Sequence, residues 1–183
     1  MNEIELARQI HLPEAISLKE ISLIFNKMNA EEFKSYAHDS IKNYANSLLQ
    51  GSAKKPADIL REATDDFTSL LPYGINTTGH NLNVIVDAKS QERLGIVWYA
   101  IEPRESCHVL FIYDIDVVTN QRRKGIATRI INDLMAKITH PSILHVELSV
   151  FIHNKVAINL YKKLGFSPIE ISALTMTMRK PIL

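Results

Sequence analysis

Apolar positions recur along this chain with two periods, and the switches between them mark its elements. Ile21 to Met28 is short, β-branched and apolar, the pattern of a strand. Asn29 with Glu32 three residues later is a capping-box arrangement that opens a helix. Phe33, Ala37, Ile41, Tyr44, Ala45 and Leu48 then fall on one helical face. A second helix follows Pro56, with Ile59, Leu60, Ala63, Phe67, Leu70 and Leu71 at helical spacing, and Leu71-Pro72 ends it. Tyr73 to His80 is a loop containing Gly74 and Gly79.

Beyond that loop the texture changes. Leu82 to Asp87 alternates as a strand, Ala88 to Arg93 turns, and Leu94 to Glu102 and Val109 to Val118 are two further strands around a turn at Pro103 to Ser106. Lys124 to Thr139 is an amphipathic helix with Ile126, Ile130, Ile131, Leu134, Met135 and Ile138 on one stripe. Ile143 to Phe151 is a strand, Lys155 to Leu164 a short helix and Leu174 to Arg179 a last strand. The order β-α-α-β-β-β-α-β-α-β-β indicates an α+β fold rather than a regular βαβ winding. Leu12-Pro13 interrupts any helix near the start, so residues 1–19 read as an N-terminal extension and 20–183 as a single domain.

Composition narrows the class. A chain of 183 residues that is 46% hydrophobic and 22% charged is neither disordered nor fibrous. Its 21 Lys+Arg against 20 Asp+Glu argue against nucleic acid or an acidic membrane as the principal partner. One cysteine, Cys107, excludes an internal disulfide and suits a reducing cytoplasm. The start of the chain lacks a secretory pattern, and the longest apolar runs are strand-sized, so no membrane span is expected.

Glycine-based motifs are quickly tested. No Gly-x-Gly exists, and Gly74 and Gly79 are followed by His80-Asn81 where a phosphate-binding P-loop needs Lys-Ser/Thr. The informative stretch is Asp114 to Ala127, where a strand enters a polar turn and Arg122-Arg123-Lys124-Gly125 opens a helix. A helix start carries unpaired N–H groups and about half a positive charge, and cations there are unfavourable unless an anion joins them. Gly125 and Ala127 keep side-chain bulk away from the backbone. A second constellation runs from Asn154 to Phe166: Asn154 suits an N-cap, and Asn154, Ala157 and Tyr161 share one helical face. Alone, Tyr161 reads equally as an amphipathic core residue, and Gly165 as a helix end.

Together the two constellations resemble the GNAT superfamily of acetyl-CoA-dependent N-acetyltransferases. Arg122-x-x-Gly125-x-Ala127 is similar to that family's Q/R-x-x-G-x-G/A signature, and the segment Asn154, Ala157, Tyr161, Gly165, Phe166 is similar to its second conserved block. The resemblance implies a mixed, mostly antiparallel sheet flanked by helices, with central strands splayed for coenzyme A. It implies that the backbone of Arg122, Arg123, Lys124, Gly125, Ile126, Ala127 and Thr128 cradles the pyrophosphate. It further implies that Ile115, Asp116 and Val117 pair with the pantetheine arm, and that Asn154 and Ala157 lie beside it. The Val117 N–H would polarise the acetyl carbonyl, and Tyr161 would protonate the departing thiolate, as a phenol within reach of a developing thiolate can.

The base is less legible. Several relatives use a glutamate on the strand leading to the coenzyme turn, where Phe111 stands here, and others a carboxylate on the next strand, where Ser149 aligns. Glu147 shares the Ser149 face and is a candidate base; Asp114 and Asp116, whose shared parity could line one surface, a water relay, or an amine arriving already neutral are alternatives. Tyr36, Tyr73, His80 and Asp114 are expected to contact the acceptor, with Tyr44, Asp65 and Asp66 nearby. No metal-ligand spacing occurs, and no metal is expected. The expectation is a cytoplasmic N-acetyltransferase, monomer or homodimer, acting by direct attack of a primary amine: a protein amine, a polyamine or a small molecule. The alternative is a non-catalytic acyl-CoA sensor or scaffold.

Overall fold

The computed structural model describes residues 21–138 and 140–182; the expected extension over 1–19 and the last expected helical residue at 139 lie outside them. Seven strands, β1 (Leu23–Lys27), β2 (His80–Asp87), β3 (Arg93–Pro103), β4 (His108–Val117), β5 (Ile143–Phe151), β6 (Ser167–Ile171) and β7 (Thr175–Pro181), form one sheet in the order β1-β2-β3-β4-β5-β7-β6. Every neighbouring pair is antiparallel except β4 and β5. Among the described residues four α-helices flank it: α1 (Ala30–Leu49), α2 (Pro56–Leu70), α3 (Ile126–Lys137) and α4 (Lys155–Lys163).

The expected capping box is present. Asn29 Oδ1 accepts from the Glu31 and Glu32 N–H groups, and the Asn29 N–H donates to Glu32 Oε2 at 2.8 Å, which fixes where α1 begins. Pro56 at the first turn of α2 similarly sets that start. The faces differ from the periodicity in detail. Tyr36 joins Ala45 and Leu48 as the buried residues of α1, whereas Leu60 and Leu70 of α2 are exposed. The helix expected from Lys124 begins at Ile126, because Gly125 adopts φ +77° and serves as its N-cap.

The sheet separates two apolar layers. On one face α3 buries Ile126, Ile130, Ile131 and Leu134 against Leu110, Ile112, Val146, Leu148 and Met178, joined by Ile158 of α4. Each such side chain contributes about 1.5–3 kcal/mol. On the other face Tyr36, Leu71, Leu82, Val84, Ile96 and Trp98 bind α1 and α2 to β2 and β3.

Two irregularities in β4 make an opening in the sheet. The β3–β4 register slips between Trp98 and Tyr99, which face Asp114 and Ile112, so Tyr113 is an extra residue on β4, a β-bulge. The slip exchanges the faces beyond it. Leu110 and Ile112 lie in the α3 layer before the bulge, and Ile115 and Val117 lie there after it. Asp114 and Asp116 therefore belong to the α1 face. Secondly, the parallel pairing of β4 with β5 ends at Ile112–Leu148, although both strands continue. The two diverge there and open a cleft. Among the described residues no helix is long and apolar enough to cross a membrane.

Candidate active site

The cleft between the diverging strands measures roughly 780 Å³, and its walls combine residues from β3, β4, β5, α1, α2 and α4. Of the residues expected from the sequence, Tyr36, Asp114, Ile115, Asp116, Asn154, Ala157 and Tyr161 all line it. The volume exceeds what a small amine alone fills and accommodates an extended arm as well.

The backbone of β4 supplies the floor. The Val118 N–H donates to Leu94 O on β3 at 3.0 Å. Successive N–H groups alternate sides in a strand, so those of Val117 and Ile115 point away from β3, where β5 has already diverged. Gly95 makes the close approach on the β3 side possible, since a Cβ there would collide with the Asp116 carbonyl oxygen.

The turn after β4 is braced by its own arginine. Arg122 Nε donates to Val117 O at 2.7 Å, and its guanidinium also bonds Asp116 Oδ1 at 3.1 Å. Its side chain thus ties the end of β4 to the start of α3, and Lys124 Nζ bonds Gln121 Oε1. Arg123 (φ +64°) and Gly125 (φ +77°) are both left-handed, which curls the backbone ahead of α3. No side chain caps α3, so the first N–H groups of the helix, from Ile126 to Thr128, keep their donor capacity beside Arg123 and Lys124, both exposed. This is a cradle suited to a pyrophosphate, with Ile126 itself anchored in the core.

Across the cleft, Asn154 caps α4 by accepting from the Ala157 N–H at 3.1 Å, which orients the short helix and directs Ala157 and Tyr161 to the same wall. Burial, with the nearby Asp114 charge second, raises the Tyr161 phenol to about 12. Tyr161 is therefore fully protonated at neutral pH and available as a donor.

The carboxylates divide sharply. Asp114 accepts a hydrogen bond from Tyr36 Oη on Oδ2 at 3.0 Å. Burial foremost, aided by the Asp116 charge, raises Asp114 to about 6, against the opposing hydrogen bonds from Tyr36 and the Ile115 N–H. Glu147 has a different setting from the one expected. It is 2% exposed, outside the cleft wall, and gripped by Arg104 through Oε2 (2.8 Å) and by Arg179 through Oε1 (2.7 Å from Nε). Burial alone would raise its pKa, but the two guanidiniums outweigh that and hold it below the usual glutamate range. So held, it is a poor proton acceptor.

Two expected acceptor contacts also move. Tyr73 is 77% exposed and lies outside the cleft wall, because it follows the end of α2. His80 is committed to the core stack: its Nδ1 accepts from Trp98 Nε1 at 2.9 Å, and its ring packs on Trp98 and Tyr113. Burial lowers its pKa, consistent with a neutral imidazole that accepts that bond. What the sequence pattern did not reveal is the aromatic wall of Trp98 and Tyr113, stacked at 4.5 Å, with Phe67 and Phe151 completing it. Only the aromatic and β-branched richness of β3 hinted at it.

The protein-family model that matches this chain describes the acetyltransferase (GNAT) family and spans residues 53–166. An uncharacterised N-acetyltransferase of Bacillus subtilis, YycN, is 29% identical over 151 residues, 82% of this chain and 96% of that protein. The crystal structure of YycN matches the fold with a TM-score of 0.75 over the same shares of the two chains. An L-2,4-diaminobutyric acid acetyltransferase of Marinococcus halophilus is 27% identical over 108 residues, 59% of this chain and 62% of the relative. The fold also resembles spermidine N-acetyltransferase from Vibrio cholerae, solved with CoA and spermine (TM-score 0.58, 18% identity, 87% of this chain and 95% of that one).

Proposed function

Because the chain belongs to the acetyltransferase (GNAT) family, and so to the acyltransferases, we propose that it transfers the acetyl group of acetyl-CoA to a primary amine within a ternary complex. The observation that carries this reading is a cleft that joins a backbone edge to a buried phenol, with an anion cradle where the same strand turns into α3. The cradle from Arg122 to Thr128 binds the pyrophosphate, with Arg123 and Lys124 adding charge. The pantetheine arm runs along the free edge of Ile115, Asp116 and Val117, beside Asn154 and Ala157.

The chemistry depends on what each group can donate. A neutral amine attacks the thioester carbon, and the negative charge that develops on the carbonyl oxygen is stabilised by a β4 N–H, that of Val117. As the tetrahedral intermediate collapses, the C–S bond breaks and Tyr161 gives its proton to the sulfur. A phenol of pKa about 12 keeps its proton until the C–S bond breaks. The thiolate is the weaker base, so the transfer is completed by the return of a proton from the acceptor nitrogen to the phenolate oxygen. The acidic lining of the cleft, Asp39, Asp66, Asp114 and Asp116 against Arg93, favours an acceptor that arrives as a cation. The amines named for relatives, diaminobutyrate and spermidine, are reasonable first acceptors to assay.

The test is release of free coenzyme A from acetyl-CoA over a panel of L-2,4-diaminobutyrate, spermidine and a short peptide with a free N-terminus. Wild-type protein should turn over at least one of them, and acetyl-CoA should raise the melting temperature. Tyr161→Phe should lower kcat by about 10²-fold or more while preserving that thermal shift. No shift at saturating acetyl-CoA contradicts the reading.

A further inference from the structure

The proposed transfer needs a group that removes a proton from the incoming ammonium, and the positions where relatives carry a carboxylate hold Phe111 and Ser149. Glu147 is clamped by two arginines. Asp116 is bound to Arg122 and its side chain is 59% exposed, and Asp66 accepts from Tyr44. Asp39 is exposed, and among the described residues one carboxylate remains that is both partly buried and turned into the cleft.

That residue is Asp114, and the bulge at Tyr113 is why it faces this way. Unbroken alternation from Leu110 and Ile112 would send residue 114 into the α3 layer. With one residue added, Asp114 emerges instead on the α1 face, beneath buried Tyr36, whose hydroxyl fixes Oδ2. A carboxylate offers about four lone-pair positions, so capacity remains for the acceptor nitrogen. Tyr161 stands across the same cleft, close enough for the Asp114 charge to act on it.

We propose that Asp114 is the general base that deprotonates the acceptor ammonium, and that Tyr36 is the positioning residue that aims its carboxylate. The assignment rests on the acetyl-transfer reading. Two protons leave the acceptor nitrogen in the full reaction. Asp114 takes the first, from the ammonium, and releases it to solvent once the amide has formed. The nitrogen attacks, the C–S bond breaks, and the sulfur receives a proton from Tyr161, which is replenished from the second N–H proton. One proton is released per amide formed. The order reinforces itself, because protonating Asp114 removes the charge that helps to hold the Tyr161 proton, just before that proton is needed.

The titratable and charged groups around Asp114 are Tyr36, Asp39 and Tyr44 of α1, Asp66 of α2, Arg93 of β3, Tyr113 and Asp116 of β4, with Arg122 on Asp116, and Tyr161 of α4. Asp114 itself is raised to about 6. The rate with the fastest amine of the panel should therefore rise with pH and level off above about 6. Asp114→Asn should lose about 10²-fold or more at pH 7 with the acetyl-CoA thermal shift intact. It should also lose the limb near 6 and gain rate steadily toward pH 9, where the amine deprotonates unaided. Tyr36→Phe removes a bond that lowers Asp114, so its limb should move to higher pH; this variant carries the test if Asp114→Asn does not fold. Transfer by Asp114→Asn within twofold of wild type, or a limb unmoved in both variants, overturns the assignment alone. Failure of the wild type to acetylate any amine overturns the transfer reading and this assignment with it.

Discussion

Asp114 and Tyr161 are tuned in one direction by one cause: burial in the same cleft favours the protonated form of each. For the phenol this secures a donor, and for the carboxyl it sets a proton affinity close to working pH. The second effect has a cost in stability. The folded Asp114 holds its proton above the ordinary value of 3.8, so stability declines as pH rises from about 4 to about 6 and stays reduced above that. At neutral pH the penalty is on the order of 2 kcal/mol, allowing for the solvent that still reaches the group. Asp114→Asn keeps an acceptor for Tyr36 and removes the charge. It should be more stable than wild type at pH 7.5 by that amount in chemical denaturation, with the difference gone by pH 4. A variant of equal stability at both pH values would show that burial does not strain this carboxyl.

At the scale of elements, what was legible in the sequence was whatever depends on neighbours in the chain. Asn29 and Glu32 announced α1, Pro56 announced α2, and the spacing of Asn154, Ala157 and Tyr161 put them on one wall. Apart from Tyr73, which lies in the loop after α2, the missed features depend on pairing between strands. A bulge has no periodicity of its own, so Asp114 and Asp116 could be assigned a common face but not the face itself. Glu147 shared parity with Ser149, yet its function depends on Arg104 and Arg179, which lie 43 and 32 residues away. That clamp ties the β3–β4 turn, β5 and β7 together beside the last residue pairs that β4 and β5 share. Removing one member of a buried ion pair strands its partners. Glu147→Gln should cost about 3 kcal/mol, read as a lower denaturant midpoint at an unchanged slope, with Arg104 and Arg179 softening the loss by reaching water. A loss below about 0.5 kcal/mol would mean that the clamp adds nothing to the fold.

For the whole molecule, a formal net charge of +1 concealed a strong polarity. Arg122, Arg123 and Lys124 gather at the start of α3, while four aspartates line the cleft wall. The fold was legible as an α+β arrangement with its β-α-α-β-β-β-α-β-α-β-β order, because element order needs only local pattern. The strand order in the sheet, and the point where β4 leaves β5, are tertiary facts. That point of departure has a consequence beyond catalysis: the protein carries a sheet edge in its own interior. Edges on a surface invite other chains to add a strand, a hazard that proteins blunt with charges or bulges. Here α1, α2 and α4 wall the edge in, so only something as slender as a single extended chain can reach it. Amide exchange should reveal the seam. The Val117 amide should exchange much faster than that of Val118, which is locked to Leu94 O, and acetyl-CoA should slow Val117 while leaving Val118 nearly unchanged. Equal protection of both amides without ligand would mean that the seam is closed in solution; slowing of Val117 alone on adding acetyl-CoA is what a small molecule completing the sheet as its missing strand would produce.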